Sequence, residues 1–330
     1  MGIMTINASK IQFDYKYTIG NQAVPPAEGF SGPVDVAIAE DNELFVACSY
    51  YEYPPARKFI VKCNMDEDYL GYFGSYGEKE GQFIWPNSLA YNCNGSLYLS
   101  DEWLNRITVF DTDGNFMFKI DESGSGKGQL NKPAGLDFDP DGNLWICDSG
   151  NNRVQKFTSD GEYMYSFGTK GNGPGMFNTP WGIKIDKAGN VFVADWRNSR
   201  VQKFNSQGVF LQEFGSKQGE GELNRPSGVA VDNDGLVYIV DWGNEVVKVF
   251  DQESNYLQTI KGDCHGFSKW AETRMASDPE NMSLERAAVS DFTIEKIFFQ
   301  PTNIEIDAFG RILIVDCGRH RIQVYEKSTI

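Results

Sequence analysis

Short apolar runs broken by polar turns fill the chain. Across residues 133–168 the run AGLDFD meets the turn PDGN, LWICD meets the loop SGNN, RVQKF meets the turn SDGE, and YMYSFG closes the unit. Each run has strand length. Asp-Gly and similar dipeptides suit tight hairpins because glycine enters positive φ at little cost. One unit therefore predicts four antiparallel strands in a meander.

The unit recurs. Pro33, Pro86, Pro133, Pro180, Pro226 and Pro301 each head an apolar run, at steps of 53, 47, 47, 46 and 75 residues. Asp101, Asp148, Asp195, Asp241 and Asp316 end the second strand of five units, and Cys48 stands at that place in the first. Arg106, Arg153, Arg200 and Arg321 then open the third strand, with Val246 in the fifth unit. Four-stranded units at this period predict the blades of a β-propeller. The sixth unit stops at RIQVYEKSTI without a fourth strand, and residues 11–20, IQFDYKYTIG, match the missing one. The expected fold is all-β: one six-bladed propeller over residues 1–330, closed by its N-terminal strand so that no edge stays open.

The pattern of proline, glycine and alanine, then Ala-Asp, Asn, Arg and Gln, resembles the NHL-repeat family. TPWGIKIDKAGNVFVADWRNSRVQKF (179–204) and RPSGVAVDNDGLVYIVDWGN (225–244) carry it most fully. The resemblance covers nearly the whole chain. It implies the propeller but leaves function open, because such propellers serve as peptide- or RNA-binding modules, lyases and hydrolases.

An Asp and Arg that recur in blade after blade read as a structural staple. Function is sought where the repeats differ. The loop between strands two and three and the inter-blade loop share one face, which places Trp103, Trp196 and Trp242 there, with Tyr51 from an enlarged first loop. Trp85 and Trp181 flank the repeat proline and are expected at the channel mouth beside Asn87. Such a rim suits a small molecule, a peptide or a partner protein.

On the innermost strands, Asp35, Ser88 and Asn303 replace a glycine of the pattern, and Asp137, Lys184 and Glu305 replace an alanine. Asp137 and Lys184 are placed to neutralise each other. Asp35, Asn303 and Glu305 offer oxygens to Ca²⁺ or another divalent cation, with ordered water as the plainer occupant. The leading expectation is a ligand-binding pocket at the channel mouth. The alternatives are a lyase or hydrolase in the same pocket, with Lys184 or His320 handling a proton, and a protein-interaction scaffold. With two histidines in the chain, a catalytic zinc site is not expected.

Residues 262–297 interrupt the repeat with helical composition: SKWAETRMA, then an Asp278 N-cap before Pro279. This insertion reads as a lid carrying Trp270, Arg274 or Arg286 over the channel, or equally as a packing plug or an oligomer contact. The net charge of −16 disfavours nucleic acid. The N-terminal residues carry neither a basic region nor a long apolar run, and no cysteines are spaced CxxC. A cytoplasmic protein with reduced thiols and no membrane contact is the expectation.

Overall fold

The computed structural model describes residues 11–49, 58–216, 218–280, 291 and 293–329. Six four-stranded antiparallel sheets form the ring. Blade 3 is typical, with strands Pro133–Phe138, Leu144–Asp148, Arg153–Phe157 and Tyr163–Phe167. The repeat proline begins the inner strand of every blade.

Blade 6 is built from both ends of the chain. Ile11–Ile19 pairs antiparallel with Arg321–Thr329 and supplies the outer strand. The expected closing strand is thus present, and it ends where Gly20 turns at φ 93°.

Alternate residues of the middle strands point into the seams between blades. In the seam between blades 3 and 4, Trp145, Cys147, Phe177, Val191, Val193 and Phe204 are fully buried. Six such clusters form the core.

The repeated Asp is the staple its recurrence implies. Asp195 Oδ1 accepts the Asn178 N–H at 2.7 Å, and Oδ2 accepts from Asn198 (2.8 Å), Arg200 (3.1 Å) and Gln202 (3.3 Å). Arg200 also donates to the carbonyls of Gly173 and Met176 in the preceding inter-blade loop. The pair therefore ties that loop to the loop between strands two and three, on one face of the ring. Blades 3 and 6 repeat the Asp–Arg bond. Blade 5, lacking the Arg, brings Lys248 to 3.3 Å from Asp241. In blade 2, Arg106 spends its guanidinium on the carbonyls of Glu78, Lys79 and Gln82, while Asp101 accepts backbone N–H groups.

The first helix of the insertion between blades 5 and 6 packs into the core rather than over the channel. Helix Lys269–Ser277 is capped by the Ser268 hydroxyl, and its Trp270 is buried in the core seam of blades 6 and 1, against Phe30 and Tyr69. Trp270 Nε1 donates to the Glu67 carbonyl at 2.7 Å, and Arg274 donates to the Gln22 carbonyl at 3.0 Å. This helix wedges against blade 1, because an indole gains more from a dry seam than from an open mouth. Pro279 is helical as expected. Arg286 lies outside the described residues.

Candidate functional site

Every inner strand carries a bulge just after its proline: in blade 4 the register shifts between Pro180 and Ile183. Two residues then oppose one, and in blades 1, 2, 4 and 6 the first and second residues after the proline both line the pocket, whereas Ala134 of blade 3 packs in the seam. The fourth residue after the proline forms the next layer down.

The second-residue layer is a chain of inter-blade contacts. In blades 3, 4 and 5 it is glycine, and a Cβ at Gly182 would stand 2.3 Å from the Ser227 carbonyl oxygen of the next blade. Where glycine is replaced, the side chain makes the link. Asn303 Nδ2 donates to Asp35 Oδ1, Asp35 Oδ2 accepts the Leu89 N–H at 2.8 Å, and Ser88 Oγ accepts the Leu136 N–H at 3.2 Å. Burial pushes the Asp35 carboxyl up to about 6, against the pull of these hydrogen bonds.

Below lies an ionic floor. Lys184 Nζ stands 2.7 Å from Glu305 Oε2 and 3.6 Å from Asp137 Oδ1, joining blades 4, 6 and 3. The expected Asp137–Lys184 contact is present, but the closer partner is Glu305. Desolvation raises Glu305 to about 7, opposed by Lys184, and also raises Asp137, whose Oδ2 accepts the Ile185 N–H at 2.7 Å. The two carboxylates hold Lys184 strongly protonated against its own desolvation.

Above this floor opens a pocket of about 360 Å³. Trp181, Trp196 and Trp242 form one wall, with ring centroids 6.1 and 6.3 Å apart in succession. Arg225 and Arg197 stack their guanidinium carbons 5.1 and 5.9 Å from the Trp196 ring centroid. Asp35, Asn87, Asn303 and Glu305 also line the pocket, as sequence reasoning placed them. That reasoning missed Ser227, Gln300, Thr302 and Cys317. Ser227 Oγ and Thr302 Oγ1 are buried with no hydrogen-bond partner among the described residues.

The other expected residues lie elsewhere. Trp85 and Trp103 pair edge to face at 5.3 Å on blade 2 and do not line the pocket. His320, expected on the exposed face, is buried: Gly32 N–H donates to its Nδ1 at 2.9 Å, because the loop entering blade 1 folds over it. Tyr51 lies outside the described residues. Asp35, Asn303 and Glu305 do share the pocket, but Asn303 turns its amide N–H toward Asp35, and Glu305 engages Lys184. Among the described residues no group of three His, Cys, Asp or Glu is placed to hold a metal ion.

Comparison with known proteins places this geometry. Residues 130–157, 177–204 and 223–250 match the NHL repeat model, in blades 3, 4 and 5. The B-box type zinc finger protein ncl-1 of Caenorhabditis elegans is 39% identical over 67 residues, which cover 20% of this chain and 8% of that protein. Protein brain tumor of Drosophila melanogaster is 33% identical over 75 residues, covering 21% and 6%. The match therefore spans less than a tenth of the length of these relatives. Among solved structures, virginiamycin B lyase from Staphylococcus aureus, crystallised with quinupristin as a catalytically inactive variant, superposes with a TM-score of 0.58 at 13% identity, over 97% of this chain and 88% of that one. An auxiliary nutrient binding protein from Bacteroides thetaiotaomicron gives 0.63 at 10% identity, over 97% and 77%. At these identities the likeness is one of fold. With the repeat model matched in blades 3, 4 and 5 and the same four-stranded unit in the others, the chain is a six-bladed β-propeller that carries NHL repeats.

Proposed function

We propose that this propeller binds a small organic ligand, or one side chain of a peptide, in the pocket at its channel mouth. One juxtaposition carries the reading: three tryptophans line the same pocket as Ser227 and Thr302, whose buried hydroxyls make no hydrogen bond within the described residues. Leaving a polar group buried without a partner costs about 1 to 3 kcal/mol, so such groups in a pocket mark where a ligand makes the bond. Most polar side chains of the layer below already hold neighbouring blades together. The ligand is therefore read by the wall and by the residues directly after the prolines: Asn87, Trp181, Ser227 and Thr302.

The test is a ligand screen by calorimetry on the parent and on Trp181→Ala and Trp196→Ala. Both variants should lose affinity at an unchanged fold, while Trp103→Ala should bind as the parent does. Equal binding by all variants would overturn the reading.

A lyase or hydrolase is the second reading. Glu305 titrates near neutral pH beside Lys184, at the base of the pocket, as an acid–base pair requires. It calls for turnover that Glu305→Gln abolishes.

A further inference from the structure

The ligand's chemical class can be drawn from the charges and aromatic faces around the pocket, given the binding reading above. Among the groups at its lining and floor, Asp35, Glu305 and Asp137 stand against Lys184 alone, an excess of negative charge when ionised, while Arg197 and Arg225 on Trp196 are exposed and do not line the pocket. Lys184 is committed to Glu305 and Asp137. Asp35, only 1% exposed, is hydrogen-bonded by neutral donors: the Asn303 amide and the N–H groups of Val36 and Leu89. A buried carboxylate held only by neutral donors favours a cation brought near it.

The opposite wall is suited to the same group. Indole faces attract guanidinium and ammonium, and the chain already stacks Arg225 and Arg197 on Trp196. Ser227, 7% exposed, and Thr302 line the pocket from adjacent blades, and their buried hydroxyls have no partners among the described residues. A hydroxyl accepts from an ammonium through its oxygen as readily as its O–H donates to an anion, and the surrounding carboxylates decide between the two.

We infer that the channel mouth selects an organic cation, an ammonium or guanidinium on an apolar body. The charged head lies toward Asp35 and the Ser227 and Thr302 hydroxyls, and the body lies against Trp181, Trp196 and Trp242. An anion meets the carboxylates. A neutral polyol satisfies the hydroxyls but leaves the Asp35 charge uncompensated. The head belongs either to a free amine or to a lysine or arginine side chain of a peptide.

The experiment is calorimetric titration, slightly above neutral pH, with phenethylamine, phenethyl alcohol and 3-phenylpropionate, and with the blocked amides of lysine and arginine. The amine should bind at least about tenfold more tightly than the alcohol, a difference of about 1.4 kcal/mol, and the carboxylate should not bind. Tighter binding of the blocked amides assigns a peptide source, and tighter binding of the amine a free small molecule. Asp35→Asn should remove the preference for the amine and leave alcohol affinity in place. If that variant fails to fold, Thr302→Val and the fall of amine affinity with added salt serve instead. Alcohol binding as tight as the amine, lost in Trp196→Ala, would overturn the cation and keep the pocket. Failure of every probe to bind would overturn both.

Discussion

Lys184 of blade 4 reaches past blade 5 to Glu305 of blade 6, with Nζ 2.7 Å from Oε2. This contact, with Asp137 behind it, gives the channel a floor and turns its mouth into a pocket. Truncating one member leaves the others charged, buried and short of a partner, which costs about 3 to 5 kcal/mol. Lys184→Met should lower the denaturant midpoint by the corresponding amount, while the Lys184→Met, Glu305→Leu, Asp137→Leu triple variant should recover most of it. Equal stability of the single variant and the parent would show that the floor bears no load.

Asp35 makes stability depend on pH in a definite direction. Its carboxyl titrates at about 6 in the folded chain against an ordinary 3.8, so the folded state binds the proton more tightly than the unfolded one. Its contribution is favourable at low pH and is lost as pH rises from about 4 to about 6, by up to about 3 kcal/mol. Asp35→Asn cannot titrate. The stability difference, variant minus parent, should therefore rise across that window and level off above it, as read by urea unfolding at a series of pH values. A flat difference would contradict the burial of this charge.

Trp270 is placed in the seam between blades 6 and 1 and does not line the pocket. Trp270→Ala should cost about 3 to 5 kcal/mol in stability, as truncating a buried aromatic does, with ligand affinity unchanged under conditions where the variant is folded. Loss of affinity without loss of stability would restore a lid role for the insertion.

The glycines of the inner strands are predicted to be intolerant where the next blade comes closest. A Cβ at Gly182 meets the Ser227 carbonyl oxygen at 2.3 Å, and one at Gly135 meets the Trp181 carbonyl oxygen at 2.4 Å. Both contacts are to backbone, which cannot swing aside. Gly182→Ala should destabilise by about 1 to 3 kcal/mol and, by moving Ser227, should also weaken ligand binding. Gly142→Ala, in a hairpin turn with open space around its Cβ position, should cost stability through its positive φ without touching affinity. Thermal unfolding and calorimetry on the two variants separate these effects.

The ring was legible because its cause is periodic. Proline, hairpin dipeptide and Asp recur, and each recurrence fixes one strand boundary; even the closure by residues 11–19 follows from a missing fourth strand. Of the five tryptophans expected at the rim, three were placed correctly. Trp181, Trp196 and Trp242 line the pocket, whereas Trp85 and Trp103 pair with each other. Nothing in a loop's composition tells a rim residue which neighbour it will meet. Ser227 and Thr302 were missed for a backbone reason. Strict alternation turns the residue after the proline away from the channel, and the bulge after each proline turns it back. The signal was present in the column Val34, Asn87, Ala134, Trp181, Ser227 and Thr302, which varies more than a packing position should. His320 was misplaced because its burial depends on the loop entering blade 1, far away in sequence.

The central claim, that the mouth of the channel is the binding site, meets its most direct test in one paired measurement. A metabolite library that includes the amine series is screened by thermal shift on the parent and on Ser227→Ala/Trp196→Ala side by side. Compounds that stabilise the parent should lose their shift in the double variant, whose own melting temperature without ligand gives the baseline. Compounds that stabilise both proteins equally would place binding elsewhere on the ring and contradict the account.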